Sequence, residues 1–171
     1  MCGAELVSRT DAAWRALDGV PDPEVPVLSV RDLGIVRDVQ LSDDGALTVV
    51  LTPTYSGCPA TEVITQSVID ALEAAGLAPV TVRLQRAPAW TTDWISEDGK
   101  RKLREYGIAP PGPVDQSQGA PIRLMKREAP VPCPRCASTA TERLSAFGAT
   151  ACKALYRCTS CREPFEHFKP I

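Results

Sequence analysis

The sequence contains a single histidine among 171 residues, and this histidine lies close to the C-terminus. A Ser-His-Asp type of hydrolase therefore has no support, because that chemistry needs a histidine base beside the nucleophile. No glycine-rich phosphate-binding pattern is present, and there is no run of about 18 apolar residues to predict a membrane-spanning helix. The first twenty residues lack the basic start and apolar core of a secretory signal, so we expect a cytoplasmic protein.

The sequence also lacks a strong excess of either charge. It has 19 basic and 21 acidic side chains and a net charge of −2, which predicts no general attraction to nucleic acid or to an anionic membrane. The apolar fraction of 44% and the charged fraction of 23% are ordinary for a globular protein and exclude global disorder. The length allows one ordinary domain, or a small domain with a mini-domain attached.

Proline and cysteine are the abundant exceptions, at sixteen and seven residues. Prolines crowd the stretch 109–132, which has few large apolar groups and therefore predicts an extended linker. The expected organisation is an α/β domain over residues 1–108, a proline-rich linker over 109–132 and a cysteine-rich segment over 133–171. Residues 122–125 are the one short apolar piece of the linker, and they could pair as an edge strand.

Apolar periodicity predicts a small two-layer sandwich of α/β (α+β) class, in which helices cover one face of a short mixed sheet. Two strand-like runs flank a turn and predict a hairpin, and apolar residues at helical spacing predict a helix that Gly76 ends. The predicted elements are a helix over 10–17, strands over Val36–Leu41 and 47–52, a helix over 60–75, a strand over Val80–Leu84 and a helix over Glu97–Tyr106.

Four cysteines follow a C-x2-C, x21, C-x2-C pattern. They are Cys133, Cys136, Cys158 and Cys161. Two such turns present four thiolates to one tetrahedral ion, and zinc suits this donor set best, with a one-iron site as the alternative. A site closed by four sulfurs is structural, and its metal would add folding energy to a segment too small for an adequate core. Binding to nucleic acid needs a strongly basic face, and the basic surplus of this segment is small, so docking to a protein is favoured.

Cys58 stands apart from these four, between Gly57 and Pro59 at the start of the clearest predicted helix. Pro59 suits the first helical position, which would place Cys58 at or next to the N-cap. The helix dipole and unpaired N–H groups stabilise a thiolate at such a position, so a nucleophilic or metal-binding thiolate is one interpretation. A small buried residue at a strand–helix junction is the other, and spacing alone does not choose between them.

Three further features each allow a structural and a functional interpretation. Asp22 and Glu24 could lie near a metal or a partner, although such a pair is more often a solvated turn. Trp90 and Trp94 could be exposed anchors for protein contact, or could pack against the sheet. Cys152 is better explained as a small buried apolar residue than as a spare ligand or a reactive thiol.

Several motifs resemble the small α/β family that contains SufT and the cytosolic iron–sulfur targeting factors. They are Asp22-Pro23-Glu24, Ser29-Val30-Arg31-Asp32-Leu33-Gly34 and Thr54-Tyr55-Ser56-Gly57-Cys58-Pro59. Residues 89–94, 102–111 and 150–165 narrow the resemblance to members that accompany the phenylacetyl-CoA ring epoxidase and carry an appended C-terminal zinc ribbon. The resemblance covers nearly the whole chain. Ala137 departs from the common knuckle pattern, in which glycine often follows the second cysteine.

The resemblance implies an accessory protein rather than an enzyme, one that helps install an iron–sulfur cluster or iron in a client. The implied client is the [2Fe–2S] reductase of the epoxidase, and Cys58 is the implied transfer residue, with Asp22 and Glu24 beside it. The implied cofactors are one structural zinc per chain and a transient iron or iron–sulfur cluster. No nucleic acid or membrane partner is expected, and a homodimer through an edge strand is open to it.

Three other functions compete with this one. A zinc-containing scaffold subunit of the multicomponent epoxidase, without transfer chemistry, ranks second. A redox protein with iron in the ribbon and a nucleic-acid-binding ribbon rank well behind both.

Overall fold

The computed structural model describes residues 2–55, 57, 59–114 and 130–171, with side chains from Arg9 onward. The chain divides into two compact units, Met1–Gly99 and Lys100–Ile171. Each unit has a small sheet of its own, so the predicted α+β class is confirmed. Within the described ranges, no helix is long and apolar enough to cross a bilayer.

The sheet of the first unit is mixed, as the sequence predicts. Its strands are β1 (Val36–Leu41), β2 (Leu47–Leu51) and β3 (Val80–Leu84), in the order β1-β2-β3. β1 and β2 form the predicted antiparallel hairpin, while β3 runs parallel to β2 with Leu51 opposite Leu84. A parallel pair needs a crossover, and the helix between β2 and β3 supplies it.

Two helices cover this sheet. α1 spans Cys2–Asp18 and contacts β1 and the second helix, while α2 spans Thr61–Ala74 and contacts β3. α1 begins well before residue 10, the predicted start, and Thr10 and Asp11 lie within the helix. Ala13 and Leu17 are fully buried and form its core face.

The second unit holds a four-stranded sheet. After α3 (Glu97–Tyr106) come β4 (Ile108–Ala109), β5 (Thr141–Ser145), β6 (Lys153–Cys158) and β7 (Pro164–Phe168), in the order β4-β7-β6-β5. β6 is antiparallel to both of its neighbours, and β4 runs parallel to β7. One hydrophobic cluster of this unit contains Ala109, Val131, Cys133, Ala154, Tyr156, Cys158 and Phe165, and Leu103 and Phe168 are buried as well.

The predicted linker is only partly described. Ala109, its first residue, lies in β4 and is fully buried in the core of the second unit. Residues 122–125, the predicted edge strand, lie outside the described residues. The division at residues 108 and 132 stays a prediction.

Candidate functional site

The four cysteines of the spaced pattern come together in the second unit. Their sulfur atoms all lie within 4.8 Å of one another. The Sγ atoms of Cys133 and Cys161 are 3.8 Å apart, and those of Cys136 and Cys158 are 3.6 Å apart. A tetrahedral zinc ion with Zn–S bonds of about 2.3 Å separates its sulfurs by about 3.8 Å. The four sulfurs therefore fit one tetrahedral metal ion.

The register of the sheet holds the two cysteine turns together. Cys158 is the last residue of β6 and lies opposite Thr141, the first residue of β5. Both the N–H and the hydroxyl of Thr159 donate to the carbonyl of Ala140, each at 2.8 Å. These contacts fix the spacing between the turn before β5 and the turn after β6.

Each turn contains one residue in the left-handed region directly after its second cysteine. These residues are Ala137, with φ of 59°, and Arg162, with φ of 65°. The N–H of Ala137 donates to the carbonyl of Cys133 at 2.9 Å, which closes the first turn around the site. The structure thus explains why glycine is common at this position of a knuckle and why Ala137 is a strained substitute.

The electrostatics of the cluster call for a cation. The backbone N–H of Cys161 lies 3.5 Å from the Cys158 sulfur, and it is the largest of several hydrogen bonds that lower the pKa of Cys158 to about 6. The N–H of Glu163 lowers the pKa of Cys161, but desolvation and the three neighbouring thiols outweigh it and raise that pKa to about 12. Cys158 therefore ionises readily, whereas ionisation of Cys161 is opposed unless a metal ion neutralises the charge.

His167 and Cys152 are not members of this group. Among the described residues, the potential metal-binding group consists of the four cysteines alone. His167 is buried with its ring edge-on to Tyr156 at 5.5 Å, so it packs in the core. Cys152 is buried too, with its sulfur 2.9 Å from the Thr150 hydroxyl, which confirms the prediction of a small core residue.

The predicted acidic pair lies in a folded loop of the first unit. One carboxylate oxygen of Asp22 accepts from the N–H groups of Glu24 at 2.9 Å and Val25 at 2.8 Å. Asp22 is only 6% exposed, so the solvated-turn interpretation is wrong for it, while Glu24 is half-buried. Asp22 therefore organises the loop, and this loop presents the Glu24 side chain.

Cys58 lies outside the described residues, but its helix begins later than predicted. α2 starts at Thr61, and Ala60 is its N-cap with φ of −74° and ψ of −12°. Pro59 is therefore not the first helical residue, and Cys58 precedes the N-cap by two positions in the sequence. Ala60 already has helical dihedral angles, and its side chain cannot cap the helix. The true start of α2 therefore carries none of the usual N-cap residues that mark a helix start in a sequence.

Thr52 is a residue that the sequence argument missed. It follows β2 and is 1% exposed, and within the described part of the chain its hydroxyl has no hydrogen-bond partner. Buried hydroxyls are seldom left unpaired, so Thr52 is an unusual residue at the end of β2, six residues before Cys58 in the sequence. No sequence signal distinguishes it from a threonine at any other strand end.

The two tryptophans are used to join loops. Trp90 is buried, and its indole N–H donates to the Leu33 carbonyl at 2.8 Å, so the packing interpretation is correct for this residue. Gly34 has φ of +67°, and a Cβ atom there would lie 2.6 Å from the Trp94 carbonyl oxygen. The Arg37 guanidinium covers the half-buried ring of Trp94 at 3.6 Å.

Two family patterns match the chain. The PaaD zinc beta ribbon domain matches residues 117–169, and the iron-sulfur cluster assembly protein family matches residues 10–83. A protein of Escherichia coli (strain K12) is 51% identical over 158 residues, which cover 92% of this chain and 91% of that protein. That protein is provisionally named as a subunit of 1,2-phenylacetyl-CoA epoxidase. The chain belongs to the PaaD family.

Further comparisons cover only part of this PaaD-family chain. A protein of Porphyromonas gingivalis (strain ATCC BAA-308 / W83), named Fe-S protein maturation auxiliary factor, is 38% identical over 100 residues. The match covers 94% of that protein but 58% of this chain. A crystal structure of a DUF59 domain from Bacillus anthracis has the same fold, with a TM-score of 0.54, 24% identity and coverage of 58% of this chain and 95% of that one.

Proposed function

We propose that this protein is an accessory maturation factor of a cytoplasmic phenylacetyl-CoA epoxidase, and that it assists insertion of an iron–sulfur cluster or iron into the reductase component. The observation that carries the proposal is the combination found in one chain. Its N-terminal part matches the iron-sulfur cluster assembly family, and nearly the whole chain matches a protein named as an epoxidase subunit. A maturation domain joined to a subunit-specific ribbon suits a factor dedicated to one client system.

The cysteine site suits zinc in a structural role. Cys133, Cys136, Cys158 and Cys161 would hold the ion through four sulfurs, and their spacing supports tetrahedral coordination. Bound there, zinc would neutralise the thiolates and tie the turns together. A site with four protein ligands has no open position, so it is not the place where iron or a cluster passes through.

Cys58 is the proposed transfer residue. A single thiolate can bind a soft metal and release it, whereas a closed four-sulfur site retains its metal. Gly57, the residue before it, is exposed and has φ of +84°, a conformation that glycine adopts without strain. Asp22 would act indirectly by holding its loop in place. Glu24 is the acidic residue that we propose helps Cys58 to bind iron or the cluster.

The test is the iron and acid-labile sulfide content of the reductase, purified from cells that co-express this protein. With Cys58→Ala we expect loading to fall to the level found in cells without the protein. Cys152→Ala is the matched control, because Cys152 is buried and lies outside the four-sulfur group, and it should load the reductase as the wild type does. Equal loading with Cys58→Ala would contradict the proposal.

A scaffold subunit is the second candidate, favoured by the match over 92% of the chain to a protein named as a subunit. It predicts that the protein purifies with the epoxidase at a fixed ratio, and that Cys58→Ala functions as well as the wild type. A maturation factor predicts instead a complex that dissociates once the reductase is loaded. Sedimentation of the mixture before and after loading distinguishes the two.

A further inference from the structure

The loop between β5 and β6 exposes a large aromatic side chain. Phe147 is 65% exposed, the highest value among the large apolar side chains of the described residues. Leu144, three residues earlier, is also exposed. A single exposed apolar residue needs no explanation, but a phenylalanine held in place by its surroundings does.

The backbone around Phe147 is fixed on both sides. The Phe147 N–H donates to the Ser145 hydroxyl at 3.1 Å, and the Gly148 N–H donates to the Lys153 carbonyl at 2.8 Å. The next N–H, that of Ala149, donates to a carboxylate oxygen of Glu166 at 2.7 Å. Three successive N–H groups are thus paired, so the loop has little freedom to withdraw the ring from solvent.

A buried ion pair supports this arrangement. Lys153 Nζ lies 2.8 Å from Glu166 Oε2, and the Lys153 side chain is only 4% exposed. The other oxygen of Glu166 would lie 2.6 Å from a Cβ atom at position 148, so a larger residue there would have to displace that carboxylate. Glu166 therefore fixes the loop through the Ala149 N–H, and Gly148 leaves room for the Glu166 carboxylate.

A positive charge accompanies the ring. Lys169 Nζ lies 4.7 Å from the centroid of the Phe147 ring and donates to the Ala146 carbonyl at 3.3 Å. Any apolar pocket that accepts the ring must also receive this ammonium group at its edge. The complementary surface is therefore an apolar pocket with a carboxylate on its rim.

We propose that Phe147, with Lys169 over its ring, is the anchor by which the ribbon binds a protein partner that offers such an acid-rimmed pocket. This inference rests on the proposed function, which makes that partner a component of the epoxidase. Aromatic residues that are rigid before binding are typical hot spots, because little side-chain entropy is lost on association. The match to the maturation-factor relative covers 58% of this chain, whereas the match to the epoxidase-subunit relative covers 92% of it, which associates the ribbon with the subunit-specific function.

The test is calorimetric titration of the zinc-loaded full chain with the cluster-free reductase, the form that a maturation factor would bind, and, separately, with the oxygenase. We expect one of them to bind the wild type, Phe147→Ala to weaken that binding by about 30-fold or more, and Lys169→Glu by about 10-fold or more. Tyr106→Ala is the matched control, since Tyr106 is an aromatic residue of the same unit with 58% exposure, and it should change affinity less than about threefold.

Two results would overturn the inference. One is binding by Phe147→Ala within about threefold of the wild type. The other is a wild-type dimer that Phe147→Ala dissociates in sedimentation, because the ring would then bind a second copy of the chain. Cys58→Ala in the same titration separates this inference from the proposed function: normal binding with failed reductase loading supports both, and normal loading by Cys58→Ala refutes only the transfer chemistry.

Discussion

Ala137 has a backbone conformation that suits glycine better than alanine. Its φ of 59° places it in the left-handed region, where a Cβ atom costs about 1–2 kcal/mol. The residue is exposed, so its methyl group contributes little burial to offset that cost. Arg162 has the same conformation in the second turn. The cysteine turns are therefore closed at some cost in backbone strain, and metal binding has to offset it.

Ala137→Gly should raise the free energy of unfolding of the zinc-loaded protein by about 1 kcal/mol, since it removes the Cβ strain at a positive φ. The measurement is urea denaturation followed by a probe of the ribbon. Ala140→Gly is the matched control, because Ala140 is also exposed but is not among the described non-glycine residues with positive φ. It should lower stability slightly, and a loss with Ala137→Gly as well would contradict the strain argument.

At the scale of elements, one ion pair joins β6 to β7 and to the loop before β6. Lys153 is the first residue of β6 and lies opposite Phe168, while Glu166 lies in the middle of β7. Desolvation raises the pKa of Glu166. The hydrogen bonds from Lys153 and from the N–H of Ala149 lower it by more, so the pKa lies below the ordinary value of 4.5. The ionised carboxylate is therefore stabilised by folding.

A lowered pKa in the folded state means that Glu166 contributes stability above pH 4.5 and loses that contribution as the pH falls through its folded value. Glu166→Gln should therefore be less stable than the wild type near pH 7. The gap should narrow as the pH drops below 4.5. Denaturation is measured at a series of pH values at which both proteins still hold their metal, because metal loss would by itself unfold β6 and β7. A gap of constant size would contradict the assignment.

The ease of predicting each element from sequence follows from how local its cause is. α3 and β1 have the predicted bounds, because the residues that delimit them are adjacent in the sequence: acidic residues at the start of α3 and turn residues after β1. The cysteine cluster follows from spacing alone. β4 is only two residues long and gains its pairing from β7, nearly sixty residues away, so no local pattern reveals it. The fixed loop around Phe147 depends on Glu166 and Lys169 in the same way.

At the scale of the whole molecule, the two units differ in what stabilises them. The first unit buries many large aliphatic side chains, among them Leu17, Leu28, Leu33, Ile35, Leu47, Leu51 and Leu72. In the second unit, two cysteines of the metal site, Cys133 and Cys158, are themselves members of a buried hydrophobic cluster. Because the unit is small and two of the four metal ligands lie in its buried cluster, a bound metal is expected to contribute much of its stability.

Removal of the metal by a chelator should therefore unfold the second sheet and leave the first intact. In hydrogen exchange of the full chain, amides of β5, β6 and β7 should lose protection, while those of β1, β2 and α2 keep it. Cys136→Ser should give the same pattern without chelator, because it removes one ligand from an exposed position, and Cys152→Ala should not. Metal analysis before chelation should find one zinc per chain, whereas a one-iron site would be coloured. Loss of protection in both sheets together would show that the units fold cooperatively, and retention in both would show that the ribbon does not depend on its metal.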